Sequence, residues 1–201
     1  MRGRPADEDD DFSPTTLRPR AVSGLGLLVY GMTGFLDLNK STFGSEYGSP
    51  DDESFIATYR ARCHCGVVGY EVSADPVDAK ICHCNDCRLL HGAPMQWAAI
   101  FHKRNVRFTA GVEHLRFYHN RLDRNEKILP CKVSCALCGS PIADEGRNMW
   151  LAFPTLFDFG TPPRVPESFK PTCHIFYGMR VMEIADGLPK WSGHKDRSTL
   201  L

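Results

Sequence analysis

Apolar and polar residues alternate over short stretches in the second part of the chain, and a period of two residues is typical of β-strands. β-branched and aromatic residues are common in these stretches, and Gly, Pro and Asn separate them. The pattern predicts strands at residues 57–59, 67–72, 96–101, 106–109 and 114–118, with one or two more within 175–184. A helical period is weak, and a single turn is expected at 86–91. The chain is therefore predicted to contain a mainly β domain.

The first 57 residues have a different composition. They are rich in Gly, Ser, Pro and Asp, and they contain ten acidic and five basic residues, whereas residues 58–201 carry a net charge of +5. Such a segment is typical of a disordered or loosely docked arm. We expect a flexible N-terminal extension over 1–57, a folded domain over 58–193 and a C-terminal tail over 194–201.

The sequence gives no sign of a membrane span or a leader. Its longest nearly uncharged apolar stretch, residues 22–36, falls short of the roughly 20 apolar residues that cross a bilayer. An acidic cluster at residues 7–11 precedes that stretch, unlike the basic or acid-poor start of a leader. We therefore expect no membrane partner and a cytoplasmic location, with the nucleus as the alternative.

All nine cysteines lie in the predicted β domain, and seven of them are clustered. In a reducing compartment, clustered thiols indicate metal binding and not disulfides. The clusters are C-H-C at Cys63 and Cys65, C-H-C-N-D-C at Cys82, Cys84 and Cys87, and C-A-L-C-G at Cys135 and Cys138, whereas Cys131 and Cys173 stand outside.

Two of the three clusters are pairs of cysteines, and together they suit one closed zinc site. Residues i and i+2 of a strand face the same side, so Cys63 and Cys65 can offer both sulfurs to one ion. A C-x-x-C-G turn presents two more, because its glycine adopts a backbone conformation that other residues resist. We therefore predict a structural zinc with four thiolate ligands, completed by Cys135 and Cys138.

The remaining cluster, Cys82, Cys84 and Cys87, offers three sulfurs within six residues. Three protein ligands with an open fourth position are the usual arrangement of a catalytic zinc. The alternative is that Cys131, Cys173 or a histidine supplies a fourth ligand and closes the site. Spacing alone leaves both interpretations open.

These motifs, together with Gly92-Ala-Pro, His174-Ile-Phe and Asp186-Gly-Leu-Pro, resemble the motif series of the glutathione-dependent formaldehyde-activating enzymes, a family that includes the centromere protein V type. The resemblance runs from about residue 58 to about residue 193. It implies a zinc-stabilised β fold of the Mss4-like type. It also implies a second, catalytic zinc on Cys82, Cys84 and Cys87 that handles a thiol such as glutathione together with an aldehyde, in a carbon–sulfur lyase reaction.

This chemistry is physically coherent, since a zinc ion with three thiolates has a formal charge of −1 and is a poor Lewis acid for a carbonyl, yet can still bind and deprotonate a thiol. Arg88 is a candidate for a substrate carboxylate or for the zinc sulfurs, with a solvated surface charge as the alternative. His83 and His91 are candidates for general bases, although a supporting or surface role is the more common one.

A different class of function is a non-catalytic two-zinc module that binds nucleic acid or protein. A basic segment with interleaved aromatic residues would serve it, formed by Lys103, Arg104, Arg107, Arg116, Arg121, Arg124 and Lys127. We prefer an ordinary hairpin with charged outer faces, and we expect no nucleic-acid partner.

Overall fold

The computed structural model describes residues 44–119 and 127–201. In this part of the chain ten strands form two sheets, accompanied by one α-helix. The strands are β1 (Tyr59–Arg62), β2 (Gly69–Val72), β3 (Asp78–Cys82), β4 (Gln96–His102), β5 (Val106–Ala110), β6 (Leu115–Tyr118), β7 (Cys131–Cys135), β8 (Pro141–Glu145), β9 (Met149–Ala152) and β10 (Cys173–Ile175). Helix α1 spans Asn85–His91, and 3-10 helices cover Lys103–Asn105, Val112–His114, Pro154–Leu156, Glu167–Phe169 and Tyr177–Met179. The predicted mainly β fold is confirmed, and it is consistent with the Mss4-like type.

The larger sheet has seven strands in the order β10-β3-β4-β9-β8-β7-β6, and the smaller has the order β1-β2-β5. Strand β10 pairs with β3 in parallel, and the other pairs of both sheets are antiparallel. In that parallel pair Ile175 lies opposite Cys82. A late segment of the chain therefore lies beside the end of β3.

The hydrophobic core contains aromatic side chains from both sheets. Trp150 on β9 packs edge-on against Tyr70 on β2 and Phe108 on β5, with ring centroids 5.8 and 5.5 Å apart. All three side chains are buried. Burial of each large side chain stabilises the fold by about 2–3 kcal/mol, and these edge-to-face contacts join the two sheets.

The side chains of strand β4 show that one face of the larger sheet packs in the core and the other lines a cavity. Ala99 and Phe101 belong to the buried core, and Phe101 is fully buried. Because successive side chains of a strand point to opposite faces, Gln96, Ala98 and Ile100 lie on the other face. That second face lines the cavity described below.

Several predicted elements correspond to observed ones, and others do not. Strands β2, β4, β5 and β6 and helix α1 overlap their predicted ranges, and β1 begins where the predicted range 57–59 ends. Strands β3, β7, β8 and β9 were not predicted. The expectation of strands through 175–184 is wrong beyond Ile175, because Phe176 has a left-handed backbone (φ 54°) and a 3-10 helix follows.

Residues 1–43 of the predicted extension, together with Arg121 and Arg124 of the basic segment, lie outside the described residues. Within residues 44–57 the chain contacts the core at Tyr47, which is buried and whose ring centroid lies 6.0 Å from that of Trp150. The backbone N–H of Gly48 donates to the carbonyl of Val106 at 2.9 Å. In the described parts no helix is long and apolar enough to span a membrane.

Candidate metal centres and active-site cavity

The sulfurs of Cys63, Cys65, Cys135 and Cys138 all lie within 4.8 Å of one another. The Sγ atoms of Cys63 and Cys65 are 3.4 Å apart, and those of Cys65 and Cys135 are 3.9 Å apart. Zinc–sulfur bonds of about 2.3 Å in a tetrahedron place ligand sulfurs roughly 3.8 Å apart. The donor set and its spacing therefore fit a zinc ion held by four thiolates.

Local backbone geometry brings these four sulfurs together. Cys63 follows β1 and Cys135 ends β7, and each begins a tight turn. The second turn contains Gly139 with φ +74°, whose N–H donates to the carbonyl of Cys135 at 2.9 Å. A residue with a Cβ atom would be strained at this φ, which explains the glycine of the C-x-x-C-G motif.

A hydrogen bond from Ser140 supports the thiolate form in this cluster. Its hydroxyl lies 3.2 Å from the sulfur of Cys138. Desolvation works against the charged form of Cys138, but the hydrogen bonds from the Ser140 hydroxyl and backbone N–H outweigh it and lower the pKa of Cys138 to about 5. The thiolate form of Cys138, which is the form that can bind a metal ion, is thereby favoured.

The second cluster lies where β3 ends and α1 begins. Cys82 is the last residue of β3, and Cys84 is the N-cap of α1, where its sulfur accepts a hydrogen bond from the backbone N–H of Cys87 at 3.4 Å. The three sulfurs lie within 4.8 Å of one another. The cap of the helix thus folds Cys87 back toward Cys82, and these three donors also fit a zinc ion.

The three thiols of this cluster have different pKa values. Hydrogen bonds from the thiols of Cys82 and Cys87 lower the pKa of Cys84 to about 2. The hydrogen bond with Cys84 raises the pKa of Cys82 to about 12, and hydrogen bonds with Cys82 and then Cys84 raise the pKa of Cys87. Cys84 therefore ionises first, and its negative charge opposes ionisation of its neighbours until a cation is present.

The three-cysteine cluster has no fourth protein ligand in the parts of the chain that the structure describes. The group of ligand atoms within 4.8 Å of one another contains these three sulfurs and no other Cys, His, Asp or Glu atom. Cys131 and Cys173 lie outside both clusters. The alternative of a site closed by one of them gains no support among residues 44–119 and 127–201.

A cavity of about 450 Å³ opens beside the three-cysteine cluster, and all three of these cysteines line it. The second face of the larger sheet forms one wall, where Ile100 and Leu151 are direct partners across β4 and β9. Ala98, Ile175 and Phe176 add further apolar surface. A partly apolar wall next to three thiols is suited to a small organic ligand.

Three polar side chains lie on the same wall of the cavity, beside Cys87. Lys132 on β7 lies 3.5 Å from the sulfur of Cys87 and 2.7 Å from the carboxylate of Asp144 on β8. The amide of Gln96 donates to the same carboxylate at 2.8 Å. Burial alone would lower the pKa of Lys132, but Asp144 and Cys87 raise it, so the ammonium form is favoured beside the thiols.

Sequence reasoning did not find these three polar residues. They lie on three strands, and the registers of β7, β8 and β9 bring them together. One sequence signal would have placed Lys132 and Asp144 on strands, namely the alternation of side chains in the segments C-K-V-S-C and P-I-A-D-E. The cysteines and the proline make this alternation hard to recognise.

The other candidates near the cluster have structural contacts. Arg88 donates from Nε to the carbonyl of His83 at 3.2 Å and from a terminal nitrogen to Asn85, so it holds the turn of the motif. His91 packs edge-on against Phe153 at 4.7 Å. The ring of His83 is fully buried and lies 2.8 Å from His174, and desolvation is the main cause that lowers the pKa of His83 to about 4.

Three of the five described residues of the basic segment form ion pairs with acidic side chains. Lys103 and Lys127 both contact Glu145, at 2.8 and 3.0 Å, and Arg107 contacts Glu71 at 3.0 Å. Lys103 is also 2% exposed. Among the residues of this segment that the structure describes, these three cations are engaged with carboxylates of the fold.

A comparison with protein-family models matches residues 58–179 to the glutathione-dependent formaldehyde-activating enzymes. The match spans more than half of the chain and includes both cysteine clusters. The chain belongs to this family. Members of the family are named for an enzyme that acts with glutathione and formaldehyde.

Two further comparisons add little to this assignment. A solved structure of a Rhodobacter sphaeroides protein, a structural genomics target, is similar with 23% sequence identity and a TM-score of 0.41, over 51% of this chain and 91% of that chain. The comparison with curated proteins found no match.

Proposed function

We propose that the protein is a zinc-dependent carbon–sulfur lyase-like enzyme that acts on a thiol–aldehyde adduct of the S-hydroxymethylglutathione type. The catalytic metal site consists of Cys82, Cys84 and Cys87. A structural zinc is held by Cys63, Cys65, Cys135 and Cys138. One observation carries the proposal: three sulfurs line a cavity, and the described chain offers no fourth ligand to close them off from a substrate.

Zinc bound at the three-cysteine cluster would supply positive charge that favours a thiolate over a thiol. In the direction of synthesis, the substrate sulfur attacks the carbonyl carbon of the aldehyde and a carbon–sulfur bond forms. The π electrons of the carbonyl move to its oxygen, which takes up the proton that the thiol released. In the reverse direction the carbon–sulfur bond breaks and the aldehyde leaves.

The residues around the cluster fit this chemistry. The ammonium group of Lys132 faces the same cavity as the sulfurs, so it offsets negative charge on the thiolates and on an oxygen that gains charge nearby. The apolar side chains of Ile100 and Leu151 reduce the water around the reacting carbon. A less hydrated site disfavours hydrolysis and strengthens the electrostatic contacts.

The test uses the full-length zinc-loaded protein, glutathione and formaldehyde, with adduct formation followed by NMR. We expect two zinc ions per chain and adduct formation faster than the uncatalysed background. Cys84→Ser should abolish the acceleration and remove one zinc, because it deletes the thiol with the lowest pKa of the cluster. Cys173→Ala, outside both clusters, should keep both the zinc and the acceleration.

Background rates in a wild-type protein that holds two zinc ions would contradict the proposed reaction. That result would favour the alternative of a non-catalytic two-zinc module. A single zinc in the wild type, retained in Cys84→Ser, would instead contradict the proposed metal site.

A further inference from the structure

A chain of hydrogen bonds links the late Asp-Gly-Leu-Pro segment to the middle of the three-cysteine motif. The Oδ2 atom of Asp186 lies 2.7 Å from Nε2 of His174, and Nδ1 of His174 lies 2.8 Å from Nε2 of His83. Both imidazole rings are fully buried. The ring of Tyr177 packs edge-on against both, with centroids 5.0 and 5.3 Å away.

The carboxylate of Asp186 at one end of this series of hydrogen bonds determines which atom is the donor in each bond. A carboxylate can only accept, so Nε2 of His174 carries a hydrogen. In the neutral ring Nδ1 of His174 is then an acceptor, and His83 donates from its own Nε2. One tautomer of His83 is thereby selected, and its Nδ1 is a buried acceptor without a hydrogen-bond partner in the described chain.

His83 is the residue between Cys82 and Cys84, and it is held at three points. Its side chain meets His174, its backbone N–H donates to the carbonyl of Ile175 at 3.0 Å, and its carbonyl accepts from Arg88 at 3.2 Å. Cys82 and Cys84 both line the cavity, whereas the buried ring of His83 is directed to His174. Fixing His83 therefore fixes the directions of the two sulfurs beside it.

We propose that Asp186 and His174 are positioning residues for the three-cysteine site, and that they act through His83 to hold Cys82 and Cys84 in the geometry that binds metal. The proposal rests on the proposed function in one respect, since it takes this cluster as the metal-holding site. Apolar side chains would fill the same buried space without the desolvation cost of imidazole nitrogens, so the directed hydrogen bonds are what the histidine pair adds.

The test uses cobalt as a spectroscopic probe of the full-length protein. His174→Phe removes the central link while keeping a ring in the core, and Asp186→Leu removes the terminal acceptor. We expect both variants to shift the sulfur-to-cobalt charge-transfer bands of the three-cysteine site and to weaken its cobalt affinity by about tenfold, as is typical when partners that orient ligands are lost. The four-cysteine site should be unchanged and serves as an internal control.

Two variants separate positioning from general destabilisation. Asp186→Asn keeps an oxygen that can accept from His174 and should restore the native cobalt bands. Lys190→Met removes an ion pair with the other oxygen of Asp186, at 3.1 Å, but leaves the chain of hydrogen bonds in place and should have no effect on the bands. Nitrogen-15 NMR should show the Nε2–H tautomer of both histidines in the wild type and a mixture for His174 in Asp186→Leu.

Native cobalt bands and affinity in both His174→Phe and Asp186→Leu would overturn the proposal. Equal loss of cobalt from both clusters would also overturn it, because it would show a role in overall stability alone. A wild-type protein that binds no cobalt at Cys82, Cys84 and Cys87 would instead refute the proposed function, before any variant is compared.

Discussion

The ammonium nitrogen of Lys132 lies 3.5 Å from the sulfur of Cys87. Lys132 and the three thiols of the cluster line the same cavity. A zinc ion with three thiolates has a net charge of −1, and a cation at this distance offsets that charge where solvent screening is reduced. Asp144 holds the ammonium group in place at 2.7 Å. The contact therefore joins the second face of the sheet to the three thiols that could hold a metal ion.

Replacing Lys132 by Met should weaken metal binding at the three-cysteine cluster. The change keeps most of the side-chain volume but removes the positive charge, so we expect cobalt affinity at this cluster to fall by about tenfold. Titration followed by the charge-transfer bands measures it. Lys80→Met is the matched control, since Lys80 pairs with Asp78 at 3.3 Å, and it should keep the affinity. Equal affinity in both variants would show that the contact with Cys87 has no electrostatic effect.

Cys135→Ser should remove one metal ion and destabilise the fold. This thiol joins the end of β7 to the turn after β1, and metal binding at such a site contributes directly to the free energy of folding. We expect one zinc per chain by native mass spectrometry and a melting temperature lower by more than about 10 °C, which corresponds to a loss of several kcal/mol. Cys173→Ala should retain two zinc ions. Two zinc ions in Cys135→Ser would exclude it as a ligand.

The grouping of the cysteines was predictable because it depends on local geometry. Alternation along a strand and the C-x-x-C-G turn place the sulfurs of Cys63 and Cys65, and of Cys135 and Cys138, on common sides over a few residues. The placement of Lys132 was not predictable in this way, because it depends on the registers of β7, β8 and β9, which involve residues far apart in sequence.

The C-terminal segment shows the same limit. His174 and Asp186 were visible as motif residues, but the sequence did not reveal that β10 pairs in parallel with β3 and brings them to His83. The strand expected after Ile175 failed for a related reason. The left-handed turn at Phe176 carries no glycine to mark it, and the contacts of Phe176 with Gly193 and His194 come from later residues.

Lys103→Met should be strongly destabilising although the residue lies outside both cysteine clusters. Lys103 and Glu145 form a buried ion pair at 2.8 Å, with side chains 2% and 0% exposed. Removing one partner of a buried pair costs about 3–5 kcal/mol, and we expect the lower end because Lys127 still contacts Glu145 at 3.0 Å. Urea unfolding measures the change. Lys170→Met, in an exposed pair with Glu167, should cost less than about 1 kcal/mol, and equal costs would contradict this account.

Glu71→Gln should make the free energy of unfolding depend less on pH in the acidic range. Desolvation raises the pKa of Glu71, but hydrogen bonds from Arg60 and Arg107 outweigh it and hold the pKa below its ordinary value of 4.5. A lowered carboxyl pKa contributes stability that is present above the unfolded value and lost as pH falls through the folded value. The variant should therefore be less stable than wild type near neutral pH, by about 1 kcal/mol. The difference should shrink below about pH 4.5; a constant difference in urea unfolding at several pH values would refute the linkage.

Tyr47 lies within the predicted N-terminal extension, and its replacement should test where the compact domain begins. We propose that the domain includes residues near Tyr47, because this ring is 8% exposed and packs between Phe108 and Trp150, with centroids 6.2 and 6.0 Å away. Tyr47→Ala should lower the free energy of unfolding by about 3 kcal/mol, as expected for loss of a buried aromatic ring.

Limited proteolysis of the full chain supplies the second measurement. We expect the resistant fragment of the wild type to begin before Tyr47, and that of Tyr47→Ala to begin nearer Ser54, because the packing that protects the intervening backbone is lost. Ile56→Ala is the matched control, since that side chain is 79% exposed and should change neither stability nor the cleavage site. A wild-type fragment that begins near Ser54 and unfolds like the full chain would place the boundary after Tyr47 and make its packing dispensable.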